Sequence, residues 1–158
     1  MPVTLNRKIK KHQIEATDET IISLPIQGRW TLLYFYPKDN TSGCTQEAID
    51  FTTAMKQFER KSVSIIGVSR ESLTSHQRFI DKVGIGFPLI SDPEETLCQY
   101  FDVMKEKSMY GRKYMGIERS TFLIDPEGVL RKAWRKVKVK GHVEDVLSHF
   151  DEVAAITL

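Results

Sequence analysis

The chain has 158 residues, of which 41% are apolar and 28% are charged, and its formal net charge is +2. This composition is typical of one globular domain and excludes a disordered chain. The near balance of charge gives no support to a nucleic-acid partner, and two cysteines are too few for a disulfide scaffold or an all-cysteine zinc site. No run approaches the ~18 apolar residues of a membrane span, and the basic N-terminus lacks the apolar stretch of a signal peptide, so we expect a cytoplasmic protein with no membrane partner.

Apolar runs alternate with amphipathic stretches along the chain, after a polar and basic start at residues 1–13 that is typical of poorly ordered termini. Apolar runs bounded by turn residues predict strands, and apolar residues at spacings of three and four predict helices. The predicted strands are 20–24, 30–36, 63–68, 87–90, 120–124 and 129–135. The predicted helices are 45–60, 74–83, one capped by Asp92 with Pro93 in its first position, and 142–155.

This order of elements predicts an α/β fold. Strand–helix–strand units are followed by a hairpin and a final helix, which implies a mixed central sheet flanked by helices. In such sheets, functional residues gather where a strand ends and the next helix begins. Strand 30–36 is the strongest of the predicted strands, and the loop that follows it contains Cys44. Cys44 is therefore the first candidate for chemistry.

Cys44 lies just before, or in, the first turn of helix 45–60. Unpaired backbone N–H groups and the helix dipole favour a thiolate there, which is the nucleophilic form of the side chain. The hydroxyl of Thr41 can hydrogen-bond an anion or a bound oxygen at the helix start, and Pro37 stiffens the loop and can shield the thiolate from water. On position alone, a single cysteine here is more often a small buried apolar residue, and Thr41 more simply a helix cap.

The combination of these residues is more specific than each alone. The string YFYPKDNTSGCTQEA contains Pro37, Thr41 and Cys44 directly after a buried strand, in a pattern that resembles the active site of peroxiredoxins. The later segments FPLISDPE and KSMYGRKYMGIERSTFLIDPEGV, in the same order, are similar to the bacterioferritin comigratory protein group, also called PrxQ-type peroxiredoxins. The resemblance extends from about residue 20 to residue 150.

The resemblance implies a fold and an activity. The fold would be a single thioredoxin-fold peroxiredoxin domain over residues 1–158, in which strand 120–124 lies beside strand 30–36. The activity would be that of a thiol peroxidase, which reduces hydrogen peroxide and organic hydroperoxides without a cofactor. We expect a monomer or a weak dimer.

The resemblance also assigns roles to residues. Cys44 matches the peroxidatic cysteine, which attacks the O–O bond and becomes a sulfenic acid. Thr41 matches the threonine that positions the peroxide, and Pro37 matches the proline that shields the pocket. Arg119 matches an arginine that approaches the thiolate from a distant strand, although without the resemblance it would be interpreted as an exposed charge. Glu47 matches an acidic position that supports the site.

The chain departs from many relatives in its resolving thiol. The position five residues after Cys44, where many relatives carry a resolving cysteine, is Ile49, and the next predicted helix holds no cysteine. Cys98 has Leu97 and Phe101 at helical spacing, which favours a buried core position, but a resolving role for it stays open. The chain therefore resembles the one-Cys members, in which an external thiol reduces the sulfenic acid. Thioredoxin, glutaredoxin and a low-molecular-weight thiol are the alternatives.

Two rival functions remain at this stage. In the first, the oxidised Cys44 passes its oxidation to a protein partner as a redox sensor or relay. In the second, the site is vestigial and the protein has a structural or chaperone-like role. The intact pattern around Cys44 argues against the second, because only chemistry requires those residues to accompany the thiol.

Three other features carry weaker predictions. Six basic residues lie in the ten of segment 131–140, which fits a docking face for an acidic reductant better than a nucleic-acid site. The four histidines show no metal spacing and no glycine-rich nucleotide motif is present, so neither a metal nor a cofactor is expected. A cluster in the predicted loop before Arg119 either packs over the sheet or forms an apolar rim for lipid-like hydroperoxides or a partner subunit. Its members are Met104, Met109, Tyr110, Tyr114 and Met115.

Overall fold

A computed structural model describes residues 2–157 of the chain, with side chains as far as residue 155. Three strands come first, helices and strands then alternate, and four further strands and a final helix complete the described residues. In chain order the described elements are β1 (His12–Ala16), β2 (Thr20–Leu24), β3 (Trp30–Phe35), α1 (Ser42–Arg60), β4 (Val63–Ser69), α2 (Leu73–Val83), β5 (Leu89–Ser91), α3 (Thr96–Tyr100), β6 (Met104–Met109), β7 (Arg112–Ile117), β8 (Ser120–Ile124), β9 (Leu130–Trp134) and α4 (His142–Thr157). Within residues 2–157, none of the helices is long and apolar enough to span a membrane.

Seven of these strands form one mixed sheet in the order β2-β1-β5-β4-β3-β8-β9, while β6 and β7 pair with each other as a separate hairpin. Strands β3, β4 and β5 are parallel, and β8 is antiparallel to β3. The predicted α/β architecture is therefore confirmed. The neighbour relationship that the resemblance implied is also confirmed, because Phe35 pairs with Ser120 and Thr31 pairs with Ile124.

Strand β3 lies inside the sheet and is buried along its whole length. Its side chains alternate between the two faces, as the geometry of a strand requires. Leu32 and Tyr34 belong to a core that includes side chains of α1, α2 and α4, whereas Leu33 and Phe35 belong to a second core that includes side chains of α3. Each fully buried Leu or Phe stabilises the fold by roughly 1.5–3 kcal/mol, so β3 is anchored from both sides. The sheet thus separates two apolar cores.

Helix α1 begins at Ser42, three residues before the predicted start. Thr41 is its N-cap, with extended backbone angles (φ −92°, ψ 156°). The Thr41 side chain does not bond to the helix, because its hydroxyl donates to the carbonyl oxygen of Lys38 at 2.8 Å. The buried residues Ala48, Phe51 and Phe58 recur at the predicted helical spacing and pack against the sheet.

The predicted helix start at Asp92 and Pro93 is wrong. These residues form a turn, closed by a hydrogen bond from the N–H of Glu95 to the carbonyl oxygen of Asp92 (3.0 Å), and α3 begins only at Thr96. The N-cap is Glu95, whose φ of 64° is left-handed and whose side chain does not cap the helix. The carboxylate of Asp92 still provides a hydrogen-bond partner for the first turn of α3, because it accepts from the backbone N–H of Cys98 at 2.8 Å.

Two strand pairings lie where no strand was predicted. Strand β1 is mostly polar and pairs with β2 and, at one position, with β5, and the nearby Ile9 is buried. The predicted loop before Arg119 is the hairpin β6–β7. Its turn residues Tyr110 and Gly111 have φ of 51° and 78°, as a two-residue turn of a twisted hairpin requires.

Candidate active site

Cys44 is the third residue of α1, in the turn whose backbone N–H groups have no partner within the helix. The helix ladder begins here with a hydrogen bond from the N–H of Thr45 to the carbonyl oxygen of Thr41 (2.9 Å). The Cys44 side chain is 2% exposed, at the end of the loop that follows β3. Cys44 therefore lies at the positive end of the helix dipole, next to N–H groups that the helix leaves unpaired.

Arg119 meets Cys44 because of the direction of β8. Since β8 runs antiparallel to β3, the start of β8 lies at the edge of the sheet where β3 ends. Nη2 of Arg119 donates to Sγ of Cys44 at 3.4 Å, across 75 residues of sequence. Burial acts to lower the pKa of Arg119. The nearby Glu47 and Cys44 have a larger combined effect in the other direction, so the pKa of Arg119 is raised. The site therefore places a permanent positive charge beside Sγ.

Glu47 holds the other end of the same guanidinium. Its Oε1 accepts from Nη1 of Arg119 at 2.6 Å, one turn of α1 after Cys44. The carboxylate is fully buried, and its Oε2 has no hydrogen-bond partner among the described residues. Burial raises the pKa of Glu47 to about 7, although the charge of Arg119 opposes the shift. Glu47 therefore orients Arg119 without itself contacting Sγ.

The close approach of Arg119 depends on the glycine before Cys44. A Cβ at Gly43 would lie 3.3 Å from Nη2 of Arg119 and 3.9 Å from Cγ2 of Val139. The backbone N–H of Val137 donates to the carbonyl oxygen of Arg119 at 3.0 Å, which holds the segment after β9 against this corner. A side chain at position 43 would press on the guanidinium directly.

Thr41 and Pro37 share the loop that joins β3 to α1. Thr41 is exposed at the helix N-cap, three residues before Cys44, and Pro37 is half-buried at the beginning of the loop. The structure thus brings Cys44, Arg119 and Glu47 into one chain of contacts and places the other two predicted residues on the loop leading to Cys44.

A groove of about 700 Å³ adjoins the site on the side of Gly43. Val139, Val143 and Leu147 give it apolar walls, and Lys140 stands among the lining residues. The groove is open to solvent next to the start of α1, and its lining includes Ser42 and Gly43 but not Cys44.

Cys98 is remote from this site. It is fully buried in α3 and belongs to the core on the opposite side of the sheet from Cys44. Burial, with a smaller contribution from Asp92, raises the pKa of the Cys98 thiol far above its usual range. Both cysteines are free thiols. Cys98 therefore has the properties of an inert core thiol.

Sequence reasoning missed a buried polar cluster that fixes the loop after β3. The hydroxyl of Tyr36 donates to Oδ1 of Asp39 at 2.7 Å, and the hydroxyl of Ser75 donates to Oδ2 at 2.7 Å. Nδ1 of His76 lies 2.8 Å from the same Oδ2. A charged residue inside a turn string and a histidine on a helix give no joint signal in the sequence, because 37 residues separate them.

The hairpin β6–β7 carries the apolar cluster that was predicted for a loop. Met104 is buried at its base, and four other members are exposed, namely Met109, Tyr110, Tyr114 and Met115. Lys107 in the same hairpin is within electrostatic range of the site, since burial first, and then the charge of Arg119, lowers its pKa. Among residues 2–157, no three His, Cys, Asp or Glu side chains gather as a metal site.

The chain belongs to the AhpC/TSA family, whose model matches residues 5–133, and it is a peroxiredoxin, a peroxide-reducing oxidoreductase. Two curated relatives of similar sequence bear the name Peroxiredoxin Bcp. The protein of Xanthomonas campestris pv. campestris is 54% identical over 121 residues, which cover 77% of this chain and 76% of the relative. That of Bacillus subtilis is 48% identical over 136 residues, which cover 86% and 87%.

Solved structures agree with this assignment and with the thioredoxin fold. A cysteine-to-serine variant of Xylella fastidiosa PrxQ superimposes with a TM-score of 0.91 at 42% identity, covering 98% of this chain and 99% of that one. Xanthomonas campestris Peroxiredoxin Q has a TM-score of 0.85 at 48% identity, with coverage of 89% and 90%. A trapped intermediate/ligand complex of the Xanthomonas campestris bacterioferritin comigratory protein, described for its alkyl peroxide reduction activity, has a TM-score of 0.85 at 47% identity, again covering 89% and 90%.

Proposed function

We propose that this peroxiredoxin is of the one-Cys type: it reduces hydrogen peroxide and organic hydroperoxides through Cys44, and an external thiol restores the cysteine. The observation that carries the proposal is the contact of Arg119 with Sγ of Cys44 at 3.4 Å, in a chain whose only other thiol lies in the opposite core. The groove beside Gly43 has room for the organic part of a hydroperoxide.

In the first half-reaction, the Cys44 thiolate attacks one oxygen of the peroxide. The S–O bond forms while the O–O bond breaks, and the departing oxygen takes a proton and leaves as water or an alcohol. Arg119 stabilises the thiolate and the negative charge that grows on the departing oxygen. The Thr41 hydroxyl, at the start of the helix, positions the peroxide, and Pro37 limits the access of water.

In the second half-reaction, an external thiol attacks the sulfur of the Cys44 sulfenic acid. A mixed disulfide between Cys44 and the external thiol forms, and water leaves. A second external thiol then attacks the mixed disulfide, which releases Cys44 as a free thiol and joins the two external thiols in a disulfide. The absence of a cysteine at Ile49 and in α2, together with the sheet between Cys44 and Cys98, supports an external reductant. Thioredoxin, glutaredoxin and a low-molecular-weight thiol are the candidate reductants.

The surface around the site fits such a partner. Lys136, Lys138 and Lys140 are exposed in the segment whose Val137 bonds to Arg119, so an acidic reductant would meet positive charge beside Cys44. Two free cysteines also suit a reducing compartment, which is consistent with our proposal of a cytoplasmic protein.

The proposal is tested by the intact mass of the protein after one equivalent of hydrogen peroxide, with and without a sulfenic-acid trap. We expect one trapped adduct, mapped to Cys44, and no internal disulfide. A loss of two hydrogens that maps to Cys44 and Cys98 would contradict the one-Cys type. A protein that is oxidised but is reduced slowly, and that stays in a stable complex with its partner, would favour the redox-sensor alternative.

A further inference from the structure

Asp39 and His76 form a buried pair that joins the loop before Cys44 to helix α2. Nδ1 of His76 lies 2.8 Å from Oδ2 of Asp39, and the two side chains are 0% and 1% exposed. Tyr36 and Ser75 donate to the same carboxylate, each at 2.7 Å. Three side chains, one directly after β3 and two from α2, thus converge on one buried carboxylate.

Hydrogen bonds hold both nitrogen atoms of the His76 ring. Nε2 of His76 faces the carbonyl oxygen of Ile90 at 2.9 Å, and Nδ1 faces the carboxylate of Asp39, so both ring nitrogens face acceptors. Burial acts to raise the pKa of Asp39, but the hydrogen bonds from His76, Tyr36 and Ser75 outweigh burial and lower it. The ring therefore bridges the loop carboxylate and the backbone of β5.

The pair acts on the segment that positions Cys44. Asp39 lies between Pro37 and Thr41, and Thr41 is the N-cap from which α1 begins. Arg119 holds Cys44 from the side of β8, whereas the pair holds the preceding loop from the side of α2. Removing one member of a buried hydrogen-bonded pair leaves the other without its partner, which destabilises the local arrangement.

The two half-reactions make opposite demands on this loop. Peroxide is small and reacts in a site where Arg119 contacts Sγ and Cys44 is 2% exposed. An external thiol must bring its own sulfur into contact with Sγ, in line with the S–O bond that breaks, and the buried Sγ does not offer that approach. The start of α1 must therefore move outward before the thiol can react.

We propose that Asp39 and His76 are positioning residues that clasp the loop shut for the reaction with peroxide and limit its opening for reduction by an external thiol. This inference rests on the proposed one-Cys function. It requires that a broken clasp slows the first half-reaction and speeds the second. A merely structural pair would change both rates in the same direction.

The test measures the two half-reactions separately in the full chain. Sulfenic-acid formation with hydrogen peroxide is followed by rapid quenching and intact mass, and reduction of the preformed sulfenic acid is followed by the loss of colour of thionitrobenzoate. In Asp39→Asn we expect the first rate to fall and the second to rise, each roughly tenfold, as for a modest shift between closed and open states. His76→Gln should behave in the same way.

The matched control is Ser72→Ala. The Ser72 hydroxyl caps the same helix by accepting from the N–H of Ser75 at 3.1 Å. Its link to the pair is through the backbone, because its carbonyl oxygen accepts from the N–H of His76 at 2.9 Å, and Ser72→Ala keeps that bond. The control should leave the ratio of the two rates close to that of the wild type. Equal falls in both rates, or no change in either, for Asp39→Asn would overturn the clasp.

Amide hydrogen exchange tests whether Asp39 and His76 hold the loop closed. It does not depend on the two half-reactions or on the more disruptive His76→Gln variant. Exchange at residues 41–44 should be faster in Asp39→Asn than in the wild type or Ser72→Ala, and unchanged protection would overturn the clasp. If the wild type forms no sulfenic acid, the proposed function fails, while this exchange measurement still tests the pair.

Discussion

The guanidinium of Arg119 bridges Glu47 and Cys44: Nη1 lies 2.6 Å from Oε1 of Glu47, and Nη2 lies 3.4 Å from Sγ of Cys44. The fork is planar and rigid, so the position of one nitrogen fixes the position of the other. The buried carboxylate of Glu47 therefore sets where Nη2 of Arg119 meets Sγ of Cys44.

Replacing this fork by a single charge should impair the reaction. A lysine at position 119 can satisfy Glu47 or approach Cys44, but it cannot do both in this geometry. We expect Arg119→Lys to lower kcat/KM for hydrogen peroxide by roughly a hundredfold, which is the typical loss when one donor to a developing oxyanion is removed. Steady-state peroxide consumption measures the effect, and activity within a few-fold of the wild type would show that charge alone suffices.

Gly43→Ala should separate stability from activity. Alanine is favoured over glycine in a helix by about 1 kcal/mol, but its Cβ would meet Nη2 of Arg119 at 3.3 Å and push the guanidinium from Sγ. We expect the variant to be at least as stable as the wild type in urea unfolding and several-fold slower in sulfenic-acid formation. A variant that gains stability at full activity would show that Arg119 shifts without consequence.

The two cysteines should respond very differently to substitution. Cys44→Ser should abolish peroxide turnover, because serine is a far weaker nucleophile than a thiolate at this position. Cys98→Ser should retain most of the turnover, because Cys98 lies beyond the sheet. Peroxidase assays with an external thiol test both, and a comparable loss in both variants would instead make Cys98 the resolving thiol.

The free energy of unfolding should depend on pH through His142 and Glu47, two buried groups whose pKa values are shifted in opposite directions. Burial lowers the pKa of His142 from 6.5 to about 4, so its contribution to stability is present above pH 6.5 and is lost as the pH falls towards 4. Burial raises the pKa of Glu47 from 4.5 to about 7, so its contribution is present below pH 4.5 and is lost as the pH rises through 7.

The two dependences should offset each other in the wild type. Urea unfolding from pH 4 to 8 should show a flatter stability profile for the wild type than for either single variant. His142→Gln should lose stability as the pH rises through this range, and Glu47→Gln should lose stability as the pH falls, each by roughly 3 kcal/mol at most. Parallel profiles for all three proteins would contradict the opposed shifts.

The sequence predicts those parts of this molecule whose signal is local. Strand β3 carries an apolar residue at almost every position, and α1 carries its apolar residues one turn apart, so both are evident from the chain alone. Only Met104, Gly116 and Ile117 are buried in strands β6 and β7, so the pairing of these strands arises from a tight turn and not from burial. A hydrophobicity pattern does not detect such strands.

The site shows the same division. The position of Cys44 at a helix start follows from the elements around it, but its contact with Arg119 depends on a strand that returns antiparallel 75 residues later. Only the resemblance to peroxiredoxins joined these two residues in advance. No pattern joined Asp39 to His76, since each residue is locally unremarkable and the pairing exists only when α2 packs beside the loop.

The register between β3 and β8 has a consequence for how this chain tolerates change in its length. Arg119 immediately precedes the paired residue Ser120, so its distance from Cys44 is set by the strand ladder and not by the hairpin before it. Residues gained or lost at the tip of β6–β7 leave that ladder untouched, whereas one residue gained or lost within β8 would turn every following side chain to the other face. The tip of the hairpin can therefore change in length without moving Arg119, whereas β8 cannot gain or lose a residue without changing which side chains face each core.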